Sequence, residues 1–135
     1  MSHDEAAHPG GFFLSGAPVC VLDSITEAVG GPPGRVVVSG SHGGVSAGRF
    51  ALEARVALAV FNDAGVGLDA AGIAALPLLQ AHGIAACTVA HSSARIGEAA
   101  STWATGVVSH VNAAALALGI RVGMRLHDSL PPRAG

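Results

Sequence analysis

The apolar positions of this chain fall into short unbroken runs separated by glycine-rich polar stretches. Arg35-Val36-Val37-Val38-Ser39, Val56 to Phe61 and Ile84 to Ala90 are three such runs. Each is short, rich in Val, Ile or Ala, and bounded by turn residues, which predicts a strand. None alternates apolar with polar positions, so each should be covered on both faces, as strands of parallel sheets are. Val19 to Leu22 predicts an edge strand, with Pro18 tolerated at its start. Ile120 to Leu126 is a further strand candidate.

The stretches between these runs have helical features. Ser46 to Ala54 reads as a short helix with Ser46 as N-cap. Asp69 is placed to cap a helix from Ala70 to His82, kinked at Pro77 and closed by Gly83. Thr105 to Leu118 reads as a third helix, closed by Gly119. Ser24-Ile25-Thr26-Glu27 has capping-box spacing, but Gly30-Gly31-Pro32-Pro33-Gly34 leaves room for only a short helical turn. Strands alternating with helices predict an α/β fold. The expected form is a single small three-layer sandwich with a mostly parallel sheet of about four to five strands. The expected division is a flexible N-terminal tail over 1–16, a single domain over 17–130 and a C-terminal tail over 131–135, and a chain of 135 residues suits one domain.

Composition narrows the functional classes. Half of the residues are hydrophobic and 16 are charged, seven Arg against nine Asp or Glu. That balance argues against disorder. A net charge of -2 with no basic run argues against nucleic acid as a partner. The absence of Lys excludes Schiff-base chemistry and phosphate-loop lysines. Thr105 to Ile120, the most apolar stretch, is too short and too polar to span a bilayer, so no membrane partner is expected. Residues 1–16 lack a basic start and a continuous apolar core, so no signal peptide is expected. Cys20 and Cys87 are far apart, and Cys87 lies in an apolar run. A cytoplasmic protein is the expected reading.

The polar residues collect where the three strand runs end. Ser39-Gly40-Ser41-His42-Gly43-Gly44 follows the first, Asn62-Asp63-Ala64-Gly65-Val66-Gly67-Leu68-Asp69 the second, and His91-Ser92-Ser93-Ala94-Arg95-Ile96-Gly97-Glu98 the third. In open α/β sheets ligands bind outside the carboxyl ends of the strands. Parallel strands would bring all three loops to one edge, with Ser109, His110 and Asn112 within reach.

Each loop offers chemistry. The Gly40 to Gly44 turn precedes a helix, so its backbone N–H groups suit a phosphate or carboxylate, or else the glycines serve a tight turn of positive φ. It is neither a phosphate loop nor a GxGxxG fingerprint. His42, Asp63 and His91 are the candidate proton-transfer residues. Ser41, Gly43, Gly44, Asn62, Ser93, Arg95 and His110 are candidate substrate-binding residues. Arg95 suits a carboxylate or phosphate, or an internal pair with Glu98 or Asp63. A Ser–His–Asp set could be drawn from Ser41 or Ser93, a histidine and Asp63, although the Gly-x-Ser-x-Gly elbow is incomplete. No paired His or Cys spacing supports a metal site among His42, Asp63, His91 and His110, and no cofactor is named by the sequence.

The expected function is a small-molecule enzyme or binding protein acting on an anionic metabolite at the carboxyl edge of the sheet. Hydrolase, lyase and isomerase chemistry all stay open. The alternative is a non-catalytic assembly or ligand-sensing module. Charge is scarce outside the loops and tails, which predicts buried subunit surface and a homo-oligomer.

Overall fold

The computed structural model describes residues 16–130. The two tails expected from the sequence lie outside these residues, apart from Gly16. Five strands, β1 (Val19–Leu22), β2 (Val36–His42), β3 (Leu58–Asn62), β4 (Ala85–Val89) and β5 (Val108–Val111), form one sheet in that order. β1 to β4 run parallel, and β5 is antiparallel to β4. The helices are α1 (Val45–Ala54), α2 (Ala75–Gln80), α3 (Ala99–Thr105) and α4 (Ala113–Ala117).

Continuous apolarity of the central strand has the consequence expected. All of β3 is buried. Leu58 and Val60 join Val36, Val38, Cys87 and Val89 in one core. Ala59 and Phe61 join Val37, Ala51 and Leu79 in the other. α1 and α2 cover the second core, while Trp103 of α3 and Ala115 of α4 pack on the first. The protein is therefore a three-layer α/β sandwich. Burying each large side chain in such a core stabilises by roughly 1.5–3 kcal/mol.

Small residues set the spacing between layers. α1 buries Ala47, Gly48, Ala51 and Ala54, a stripe at helical spacing. A methyl group at Gly48 would stand 3.1 Å from the Ala75 side chain, so this glycine lets α1 and α2 meet closely. Ser24 and Glu27 form the capping box their spacing predicts, with Ser24 N–H donating to Glu27 Oε2 at 3.0 Å.

Five local expectations are corrected. The helix expected over Thr105 to Leu118 is the end of α3, then β5, then α4. Gly106 closes α3, the β-branched Val107, Val108 and Val111 favour extension, and Asn112 restarts a helix as N-cap. Ser109 and His110 thus stand on a strand. Ile120 to Leu126 is not a strand, although Arg125 bridges Val107 and Met124 C=O accepts from Val108 N–H. Asp69 caps nothing: it has φ 55° inside a 3-10 segment, Leu68–Ile73, and α2 starts only at Ala75. Pro77 then falls in the first turn of α2, where no N–H is needed, so no kink results. Gly44, not Ser46, is the N-cap of α1.

Beyond Ser39, β2 continues to His42 and carries the close contact that positions the third loop. Gly40 C=O accepts from Gly97 N–H at 2.7 Å, and Gly40 N–H donates to Asp23 C=O at 3.0 Å. A β-carbon on Gly40 would collide with the backbone of Gly97 and Glu98. Gly40→Ala is therefore expected to cost about 1–3 kcal/mol of stability. The check is the urea midpoint, and an unchanged midpoint would contradict this packing.

Candidate functional site

Parallel β2, β3 and β4 bring their three carboxyl-end loops to one edge of the sheet, and the last turn of β3 ties them together. Asn62 is buried; its Nδ2 donates to Ala94 C=O at 3.1 Å and its Oδ1 accepts from Ala64 N–H at 2.8 Å. Asp63, also buried, accepts at Oδ1 from Gly65 N–H at 2.8 Å and His91 N–H at 3.0 Å. Its own N–H donates to Val89 C=O at 2.9 Å. The loops after β3 and β4 are thus fastened to two adjacent side chains.

The loop leaving Asp63 is strained. Ala64, Gly65, Val66, Gly67, Asp69 and Ala70 all have φ between 52° and 77°. For non-glycine residues such a conformation costs of order 1–3 kcal/mol each, and a β-branched residue such as Val66 is a rare occupant. Compensating bonds hold it: Val66 N–H donates to Asp63 C=O and Gly72 N–H to Val66 C=O, both at 2.7 Å. Gly72 has no room for a side chain against the Asp63 carbonyl.

Two imidazoles face the Asp63 carboxylate. His91 Nδ1 stands 3.4 Å from Oδ1, and His110 Nδ1 stands 4.0 Å from Oδ2. The first distance suits charge attraction and exceeds that of a good hydrogen bond. The His91 side chain is 62% exposed, so its far edge is open to a ligand. His110 Nδ1 also lies 3.4 Å from Thr88 Oγ1 and 3.3 Å from Ser109 Oγ, and those two hydroxyls are 2.8 Å apart. Burial raises the Asp63 pKa, but it is outweighed by the Gly65 N–H, the Ser109 hydroxyl, the His91 N–H and the His91 charge. The net result lies below the ordinary 3.8.

Beside this pair opens a cleft of about 520 Å³, lined by His91, Ser92, Arg95, Ile96, Ser101 and Thr105 among others. Arg95 is exposed, and among the described residues it forms no ion pair with Glu98 or Asp63.

The other candidates have structural partners. Ser41 Oγ accepts from Ile25 N–H at 3.0 Å. Ser93 Oγ donates to Ala90 C=O at 2.7 Å and accepts from Val107 N–H at 2.9 Å. Neither serine hydroxyl bonds a histidine among the described residues. Gly43 N–H is donated to Asn62 C=O at 2.9 Å, which withdraws it from any anion. Gly40, Gly43 and Gly44 do not have positive φ; they allow close approach instead, Gly44 to the His42 ring. His42 lines a separate cleft of about 450 Å³ with Val45, Val66 and Ala71. No group of three or more His, Cys, Asp or Glu among the described residues is arranged to hold a metal. No helix among them is long and apolar enough to cross a membrane.

Sequence reasoning missed Thr88, Ser101 and Thr105. Thr88 had a signal, since a polar residue inside a buried strand needs a partner. Ser101 and Thr105 had none, because nothing in the sequence shows which face of α3 turns to the cleft.

The direction of the Asp63 shift fixes an acid dependence. Its folded pKa lies below the unfolded one, so between them the unfolded chain binds more protons. The stabilisation is complete above the ordinary 3.8 and is lost as pH falls through the lower folded value. Asp63→Asn should therefore flatten the acid decline in urea midpoint below about pH 4. Identical pH dependence in the two proteins would refute the assignment.

Comparison of the chain with protein-family models, with curated proteins and with solved structures gives no match, and the reading of this site rests on its own geometry.

Proposed function

We propose that this protein is an acid–base enzyme for a small anionic metabolite bound in the cleft beside His91. The supporting observation is the Asp63 carboxylate, pinned by two backbone N–H groups, with an imidazole facing each of its oxygens. A carboxylate behind an imidazole fixes the tautomer and stabilises the imidazolium that forms when the ring takes a proton. In this reading His91 moves the proton, Asp63 positions it, and Arg95 holds the carboxylate or phosphate of the substrate by its guanidinium fork. The hydroxyls of Ser41 and Ser93 are engaged by backbone partners, and Ser109 meets His110 at the same Nδ1 that faces Asp63 rather than at the opposite nitrogen, so direct proton transfer is favoured over a serine nucleophile. That leaves lyase and isomerase chemistry ahead of hydrolysis by an acyl-enzyme.

A second reading, a non-catalytic homo-oligomeric module, draws support from exposed apolar residues. Leu68, at the tip of the strained loop, is 85% exposed, and Val122 is 61% exposed.

The test is incubation in D2O with a panel of small carboxylates and phosphate esters, followed by proton NMR for exchange, elimination or isomerisation. Turnover of a panel member is expected to fall about 10²–10⁴-fold in both His91→Gln and Asp63→Asn. Turnover retained in both variants would overturn the assignment. An unchanged panel with wild-type protein would favour the second reading.

A further inference from the structure

Resting on that reading, we infer that the cleft beside His91 takes a small hydroxy-monocarboxylate rather than a phosphate. Charge and hydrogen-bonding capacity are left over in the cleft once the internal bonds are made, and they select the ligand. A cleft of about 520 Å³ suits a small metabolite.

Charge comes first. Arg95 is the one permanently cationic side chain among the described residues lining the cleft. A second cation from lysine is impossible, because the chain has none. The Asp63 carboxylate stands 3.4 Å behind the His91 ring and places negative charge on the same edge. A phosphate group carries close to two negative charges at neutral pH and presents three acceptor oxygens. Backbone donors of the glycine turn do not supply the difference, since Gly40 N–H goes to Asp23 and Gly43 N–H to Asn62. One guanidinium fork matches one carboxylate.

Hydrogen-bonding capacity comes second. Asn62 is buried and bonded to backbone at both its amide nitrogen and its oxygen, and Ser93 has given its only hydrogen to Ala90 C=O. Ser101 Oγ accepts from Arg95 N–H at 2.9 Å and keeps its own hydrogen to donate. Thr105 Oγ1 donates its hydrogen to Ser93 C=O at 2.6 Å and retains a lone pair that can only accept. The Ser92 hydroxyl, also on the cleft wall, is exposed and has no partner among the described residues, while Ser101 and Thr105 offer one donor and one acceptor side by side, which suits an alcohol. Ala64, Ala94 and Ile96 supply the apolar part of the wall.

The test is a proton–nitrogen NMR titration of the full chain with sodium lactate, sodium propionate and inorganic phosphate at constant ionic strength. Lactate should move the amide signals of Arg95, Ile96 and Ser101 saturably. Propionate, lacking the hydroxyl, should bind at least about threefold more weakly, the loss of one neutral hydrogen bond. Arg95→Gln should weaken lactate about tenfold or more, the loss of a charge-assisted pair. Thr105→Val, which removes the acceptor at similar shape, should reduce lactate to the propionate level. Propionate binding as tightly as lactate, or phosphate saturating the same signals more tightly, would overturn this inference and leave an anion site standing. No response of those signals to any of the three anions would overturn the anion site as well.

Discussion

Two buried polar side chains at the end of the central strand hold the carboxyl edge of the sheet together. β3 is covered on both faces, so Asn62 and Asp63 are carried out of water with it. An unpaired amide or carboxylate there would cost roughly 1–3 kcal/mol or more. The chain satisfies them with backbone groups of the neighbouring loops: Ala64 and Ala94 for Asn62, Gly65 and His91 for Asp63. The polar edge is therefore ordered by the same burial that drives the sheet to form. Left-handed backbone at Ala64, Gly65, Val66, Gly67, Asp69 and Ala70 follows from this, because the loop must turn back sharply to present its N–H groups. Gly72 and Gly40 follow too, as the places where neighbouring backbones come too close for a β-carbon.

Much of the sheet was legible because apolar runs report burial directly. Val19 to Leu22, Val36 to Ser39, Leu58 to Phe61 and Ala85 to Val89 lie within the strands read from them. The segment from Thr105 to Leu118 was misread because a short edge strand between two alanine-rich helices has no period of its own. Val107, Val108 and Val111 were the local clue, and the helix-forming alanines around them masked it. Asp69 was misread because capping chemistry depends on backbone angles that sequence spacing does not reveal.

The gathering of the three polar loops was legible for a topological reason. Three parallel strands must end at one edge, so Asp63, His91 and Arg95 had to be near neighbours in space. Which residues would touch was not legible. His42 and Asp63 occupy equivalent strand ends, yet His42 turns over Gly44 into a different cleft. His110, read as helical, reaches Asp63 because β5 returns antiparallel and sets it opposite Thr88. The glycine turn that suggested an anion cradle serves packing, and its Gly40 and Gly43 N–H groups are already engaged. Scarce charge sharpens the picture, for in the cleft a single Arg95 stands beside an imidazole backed by a single carboxylate.

In the proposed function Asp63 orients His91 so that Nδ1 carries the proton and Nε2 is left to act on a ligand. Nitrogen-15 NMR of the imidazoles measures this directly in the full chain. Neutral His91 is expected to be the Nδ1–H tautomer in the wild-type protein and to lose that preference in Asp63→Asn. An Nε2–H tautomer for His91 in the wild type, or one unaffected by the substitution, would contradict it.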